Sequence, residues 1–209
     1  MGYSVVEGNA SWQNAQGFDG GGIFNVGTAV LEHSVIRGNS ASSSTGYSGV
    51  AFDGGSGGGV YNPGVMSMED CVISNNSSGE GGDRGMPEWS TIGLPAFPGG
   101  SGGHGAGLFN TGRLRLKSCT VAGNTTGNGG VGGSGGPGGS GGGILNLGTL
   151  DLETCTISRN RCGTGGIGSS GGALNAPGGT GGSGGGVFNG GTLQLTSCTV
   201  VLNETGTAK

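Results

Sequence analysis

The sequence is short of charge and of proline, and each shortage excludes a class of protein. Only 10% of its 209 residues are charged, and the formal net charge is −4. So little charge is atypical of a disordered chain, and the sign is wrong for nucleic-acid binding, so we expect no nucleic-acid partner. Proline occurs 6 times against 58 glycines, which excludes a collagen triple helix. No apolar run reaches 18 residues, so no membrane span is expected.

Motifs that carry metal or nucleotide chemistry are missing as well. The sequence contains no CxxC, HExxH or P-loop pattern, and we predict neither a metal site nor a cofactor. Its first residues, MGYSVVEGN, lack the basic and apolar regions of a signal peptide. We therefore expect that a leader has been removed or that the sequence is a piece of something longer.

The sequence is rich in one repeated block. Five ungapped copies of 18 residues occupy 22–39, 59–76, 107–124, 143–160 and 186–203. Glycine-rich inserts of differing length join them, at 40–58, 77–106, 125–142 and 161–185. Units of fixed length between variable inserts are typical of a solenoid, in which each repeat buries its apolar residues against its neighbours. We predict a single β-solenoid domain over residues 1–209, either a fragment or a stacking subunit.

Apolar and polar residues alternate within each block. In the fourth copy Ile144, Leu150, Leu152 and Ile157 are apolar in every repeat, and the residues between them are variable or mostly polar. Alternation indicates strands with one buried face, and breaks near 146–148 and 153–154 divide the coil into three short strands. The predicted fold class is all-β, a parallel β-helix of five full coils. A partial N-terminal coil, Tyr3–Asn9, precedes them.

Asparagine and cysteine recur at fixed places in the coils. Asparagine at a bend can bond backbone groups that the corner leaves free, so we predict two structural Asn ladders. The cysteines indicate an internal row of small side chains, although stacked neighbours ~4.8 Å apart also lie within disulfide range, and their oxidation state stays open. The first ladder is Asn25, Asn62, Asn110, Asn146 and Asn189; the second is Asn39, Asn76, Asn124, Asn160 and Asn203, with Asn9 before it; the cysteines are Cys71, Cys119, Cys155 and Cys198.

A row of large apolar residues is predicted to face outward just after the inserts, which we expect to cover it. It consists of Phe24, Tyr61, Phe109, Leu145 and Phe188.

The inserts repeat the triplet Gly-Gly-X, most strictly over 129–143. Such a composition is typical of a flexible linker. It also suits extended helices of three residues per turn packed side by side along one corner of the solenoid, which we favour. The insert 77–106 departs from the triplets and carries Arg84, Trp89 and Phe97, which form our candidate ligand-binding site. In the alternative interpretation Trp89 and Phe97 fold back over the outward aromatic row.

The units GGGIFNVGTAVLEHSVIRGNS and GGGILNLGTLDLETCTISRN resemble repeats of right-handed parallel β-helix proteins of the pectin-lyase-like group. They are most similar to the repeats of polymorphic outer-membrane and autotransporter-type surface proteins. The resemblance covers the five blocks and implies the fold more than an activity. The triplet inserts are similar to the glycine-rich sandwiches of some phage adhesins and of a springtail antifreeze protein.

The catalytic residues that enzymes of this group use can be looked for in the sequence. The group's lyases use clustered Asp with Ca²⁺, and its polygalacturonases use paired aspartates, a Gly-His-Gly and an Arg-x-Lys. Here 103–105 and 115–117 match the last two strings, but the aspartate pairs are missing, and glycoside hydrolysis needs two carboxylates. We therefore predict no catalytic residues and no enzyme activity.

Our leading functional hypothesis is a non-enzymatic structural or adhesive protein, extracellular or on the cell surface, that associates end to end into a fibre. The alternative is a carbohydrate-binding or degenerate lyase-like domain that contacts a surface glycan. A third interpretation is ice binding, through Thr120, Thr156 and Thr199 with Ser118, Thr154 and Ser197 two residues before them.

Overall fold

The chain folds as an all-β parallel β-helix. The structure is a computed structural model that describes residues 3–11, 17–46, 50–84, 97–168 and 176–209. Those residues form short strands in three sheets in which every neighbouring pair is parallel. They include no helix long and apolar enough to cross a membrane.

Each full coil contributes one strand to each sheet. Sheet I contains β2 (Ile23–Phe24), β5 (Val60–Asn62), β8 (Leu108–Asn110), β11 (Ile144–Asn146) and β14 (Val187–Asn189). Sheet II contains β3 (Thr28–Glu32), β6 (Val65–Glu69), β9 (Arg113–Lys117), β12 (Thr149–Glu153) and β15 (Thr192–Thr196). Sheet III contains β1 (Val5–Glu7), β4 (Val35–Arg37), β7 (Val72–Ser74), β10 (Thr120–Ala122), β13 (Thr156–Ser158) and β16 (Thr199–Val201).

Equivalent residues of the blocks lie side by side, so the register follows the repeat. Ile144 pairs with Leu108 and Val187, and Leu150 pairs with Leu114 and Leu193. The predicted inward residues of the middle coils are buried, and burying each large aliphatic side chain contributes about 1.5–3 kcal/mol. These residues form one continuous core along the solenoid.

A tight corner separates sheet II from sheet III. One residue there adopts positive φ in every full coil, for example Thr154 at 55° and Ser118 at 51°. The strand therefore stops before Thr154 and restarts at Thr156, as the predicted break at 153–154 requires. The Ser118, Thr154 and Ser197 side chains consequently lie on a corner. The threonines Thr120, Thr156 and Thr199 instead begin strands of sheet III, where they are in register.

The inserts leave after sheet III and return before sheet I. Their described parts form an outgoing layer, made of 40–46, 77–84, 125–132, 161–168 and 204–209, and a returning layer, made of 17–20, 53–57, 99–105, 135–141 and 178–184. Within a layer every third N–H donates to the next segment, as from Gly81 to Asn128 and from Gly129 to Thr164, both 2.9 Å. Between the layers Gly139 donates to Gly127 at 2.9 Å. These parts are therefore paired three-residue-per-turn segments.

Close backbone approach explains why the triplets need glycine. A Cβ atom on Gly139 would overlap the carbonyl oxygen of Gly103 in the neighbouring returning segment. The X residues point away from this contact; Pro137, for example, is exposed.

The outward aromatic row is covered unevenly. Phe24 stays 54% exposed, whereas Leu145 is only 4% exposed. Leu145 lies in sheet I between Phe109 and Phe188, and its Cβ packs beside Gly141, which adopts a φ of 69° at the end of a returning segment. The expectation that the inserts cover this row is therefore met fully at Leu145 and incompletely at Phe24.

Candidate functional site

The second Asn ladder joins consecutive coils at the corner after sheet III. The backbone N–H and the Nδ2 atom of Asn124 both donate to Oδ1 of Asn160, at 3.0 and 2.9 Å. Nδ2 also donates to the carbonyl of Ile73, in the preceding coil, at 3.1 Å. Each fully buried asparagine therefore links three coils and leaves its amide satisfied. The same contacts recur along Asn39, Asn76, Asn124 and Asn160, with Asn9 and Asn203 at the two ends.

The first Asn ladder lies where sheet I turns into sheet II. Nδ2 of Asn110 donates to Oδ1 of Asn146 at 2.7 Å and to the carbonyl of Thr149 at 3.1 Å. The row Asn25, Asn62, Asn110, Asn146 and Asn189 repeats this chain of amides. In both ladders each asparagine donates to Oδ1 of the asparagine in the next coil, so the ladders have a direction.

Four of these asparagines begin Asn-x-Ser/Thr strings, the acceptor pattern for glycosylation. Asn76 and Asn124 are no more than 1% exposed, and their Nδ2 atoms are hydrogen-bonded within the ladder. An amide in that position is closed to a glycosyl transferase as long as the coil is folded.

The thiols of Cys71, Cys119, Cys155 and Cys198 point inward in four consecutive coils, and all are free. Each donates to the carbonyl two residues earlier, as Cys119 does to Lys117 at 3.2 Å. Ser34 holds the same place in the first coil and donates to Glu32 at 2.7 Å. The fifth cysteine, Cys162, lies outside this row, and burial raises the pKa of its thiol.

His104 belongs to a row of side chains that cap backbone N–H groups of the returning layer. Its Nδ1 atom accepts a hydrogen bond from the N–H of Ser140, and its own N–H donates to Oγ of Ser56. Asp19 caps Ser56 in the same way at 2.6 Å. Burial lowers the pKa of His104 and raises that of Asp19. This environment gives His104 a structural hydrogen bond that requires an unprotonated Nδ1.

Capping by the X residues of Gly-Gly-X is the functional pattern that sequence reasoning missed. Asp53 accepts the N–H of Ser101, and Ser140 accepts the N–H of Ser183. The available signal was chemical: X is mostly Ser, Thr, Asp, Asn or His, which are side chains that can accept a hydrogen bond.

The basic string Arg115–Lys117 lies on the outer face of β9 and is engaged in ion pairs between coils. Arg115 contacts Glu153 at 2.9 Å, and Lys117 contacts Glu69 at 2.7 Å. The hydrogen bond from Lys117 lowers the pKa of Glu69 and raises that of Lys117. His104 lies on a returning segment instead, so the two strings that match polygalacturonases belong to different structural elements.

Two of the three candidate ligand-binding residues lie in the described chain. The guanidinium carbon of Arg84 is 3.9 Å from the centre of the Phe97 ring, a cation–π contact that occupies one face of that ring. Trp89 lies outside the described residues. The aromatic row also uses its ring faces internally, because the Tyr61 and Phe109 rings stack at 4.9 Å.

No cluster of three or more His, Cys, Asp or Glu side chains in the described ranges is arranged to hold a metal ion. No protein family, no curated protein and no solved structure matches the chain in sequence or fold comparisons.

Proposed function

We propose that this chain is a non-enzymatic structural and adhesive β-solenoid that works outside the cell or on its surface. The observation that carries the proposal is the double stack. The parallel β-helix and the two glycine layers rise together, and both are hydrogen-bonded from coil to coil. Such a build favours a stiff rod, because bending it disturbs two hydrogen-bonded stacks at once. Within parallel β-helices we favour a relation to the pectin-lyase-like group, and in particular to polymorphic outer-membrane and autotransporter-type surface repeats.

The surface chemistry agrees with a scaffold. Charged side chains on sheet II, such as Arg115 and Lys117, are paired with carboxylates of adjacent coils. Nδ1 of His104 accepts a hydrogen bond from the backbone N–H of Ser140, and the rings of Tyr61 and Phe109 stack on each other. These side chains are committed to the stack, which supports a role without catalysis.

End-to-end association is the second part of the proposal, with another copy of this chain as the partner. Leu195 and Val200 are 49% and 47% exposed in the last coil, although their counterparts Leu152 and Ile157 are fully buried. Because the Asn ladders have a direction, the two ends of the solenoid differ in their hydrogen-bonding groups. The last coil offers donors at Asn203, and the first coil offers acceptors at Asn9. A second copy stacked head to tail would continue both the core and the ladder.

Negative-stain electron microscopy and sedimentation across a range of concentrations test this proposal. We expect rods that lengthen with concentration. Leu195→Glu, which puts a charge on the inward face of β15, should stop the lengthening, whereas Thr196→Glu on the exposed outward face should not. Monomers at every concentration would overturn self-association, and turnover of a polyuronate that is lost in His104→Asn would overturn the non-enzymatic role. A glycan array tests the carbohydrate-binding alternative.

A further inference from the structure

The four thiols that stack inside the solenoid occupy equivalent positions in coils two to five. Cys71, Cys119 and Cys155 are 1% exposed, and Cys198 is partly exposed in the last coil. Their positions are in register, because Glu69 pairs with Lys117 and Val72 pairs with Thr120 on either side of the first two cysteines. The row is therefore a ladder of sulfur atoms with one partly open end.

Adjacent thiols interact with one another. Cys119 lies between Cys71 and Cys155 in the row, and its sulfur donates to the carbonyls of Lys117 and Met68 at 3.2 and 3.5 Å. Interaction with Cys119 lowers the pKa of Cys71 and of Cys155 to about 7, against the effect of burial, and the pKa of Cys119 is raised. The backbone N–H of Cys155 also donates to the sulfur of Cys198 at 3.4 Å.

The spacing suits a bridging ion better than a disulfide. In-register side chains of parallel strands are separated by about 4.8 Å, the distance between strands. A disulfide needs Cβ atoms about 3.5–4.5 Å apart and sulfur atoms about 2.05 Å apart, so it would draw the two coils closer together. Two metal–thiolate bonds of about 2.3 Å each span about 4.6 Å when they are collinear.

The surroundings limit the coordination number to two. The neighbouring inward side chains belong to the apolar core, such as Leu152 and Ile157, and offer no further ligand. Thiolates select soft ions, and Cu(I) is the soft monovalent ion among those that proteins bind.

We propose that adjacent thiols of this row form two-coordinate sites for a soft monovalent cation of the Cu(I) class, with each cation lying between two coils. Two S–H bonds lose their protons to solvent, two metal–sulfur bonds form, and no electron is transferred. The four thiols form two such sites, Cys71 with Cys119 and Cys155 with Cys198. The second site fills first, because Cys198 is the most exposed of the four.

Silver(I) is the probe, because it is soft, monovalent and redox-inert. Every protein in the experiment carries Cys162→Ser to remove the thiol outside the row. Two double variants then keep the same number of thiols. Cys71→Ser/Cys198→Ser retains the adjacent pair Cys119 and Cys155, whereas Cys119→Ser/Cys155→Ser leaves two coils without a thiol between the remaining pair. Serine is compatible with this place, since Ser34 occupies it and donates to Glu32.

Native mass spectrometry and ultraviolet thiolate–metal absorption count the bound ions. We expect two silver ions on the parent, one on the variant with adjacent thiols, and at least tenfold weaker binding to the variant with separated thiols. Silver should raise the thermal midpoint of the parent and leave its far-ultraviolet circular dichroism unchanged. Equal binding by the two double variants would overturn the proposal. The proposal would also be overturned if silver bound the parent only as the far-ultraviolet circular dichroism of its β structure disappeared. This measurement does not depend on whether either double variant folds.

Discussion

The Nδ1 atom of His104 accepts a hydrogen bond of 2.9 Å from the backbone N–H of Ser140. A protonated imidazole cannot accept it. Burial lowers the pKa of His104 below its ordinary value of 6.5, while the charges of Asp53 and Asp19 act in the opposite direction. The folded protein therefore disfavours a protonated side chain at this position.

We predict that stability falls with acidity because of this group. The unfolded chain takes up a proton near pH 6.5, where folded His104 is still neutral. Its effect is absent above that pH and grows as the pH drops, until the folded side chain also protonates. Urea unfolding between pH 8 and pH 5 should show the fall. His104→Asn, which keeps an acceptor, should flatten it. An unchanged slope in His104→Asn would contradict the assignment.

Asn124→Ala should be among the most destabilising substitutions in the chain. It removes Oδ1, the acceptor of both Asn76 donors, and Nδ2, which donates to Oδ1 of Asn160 and to the carbonyl of Ile73 in the buried interior. Each unsatisfied buried group costs about 1–3 kcal/mol, so we expect a loss of about 3 kcal/mol in the free energy of unfolding. Asn203→Ala, in the last coil, provides the comparison and should cost less than half as much. Equal losses in chemical denaturation would argue against a cooperative ladder.

Gly139→Ala should disrupt the glycine layers without removing the β-helix. Its new methyl group would overlap the carbonyl of Gly103, and overpacking of this kind costs about 1–3 kcal/mol. Hydrogen exchange should accelerate at the N–H groups of 99–105 and 135–141 and stay slow in sheets I to III. Ser134→Ala, at an X position, is the matched control and should leave exchange unchanged. Global acceleration in Gly139→Ala would mean that the two stacks unfold as one unit.

Asn76 and Asn124 should stay unglycosylated when the protein is secreted from a glycosylating host. Their amides are buried and hydrogen-bonded, whereas Asn9 and Asn203 lie in the outermost coils. Peptide mass spectrometry should detect no glycan on the two buried residues. A glycan on either one would mean that modification precedes folding of that coil.

The sequence predicts the β-helix well because side chains carry its pattern. Alternation around Leu150 and Leu152 identifies the buried face, and the equivalence of Arg115 with Asp151 anticipates their pairing in β9 and β12. The pairing of outgoing with returning segments is harder to predict, since glycine has no side chain to record which backbone lies beside it. Leu145 occupies an outward position in the alternation and is 4% exposed, whereas Phe24 in the same row is 54% exposed, a difference that the alternation does not predict. The break at 153–154 is predicted from the sequence, but the positive φ of Thr154 that forms the corner leaves no mark in the alternation.

The shared rise of the β-helix and the glycine layers has a consequence for how such a chain can change in evolution. A coil inserted without its glycine-rich insert would leave a gap in both glycine layers. An insert added without a coil would have no coil of the β-helix to pack against. Viable duplications or losses should therefore comprise one block together with one insert, such as 143–185. Growth by whole modules would alter the length of the rod while preserving every contact between neighbours, so length becomes a property that recombination can adjust in discrete steps.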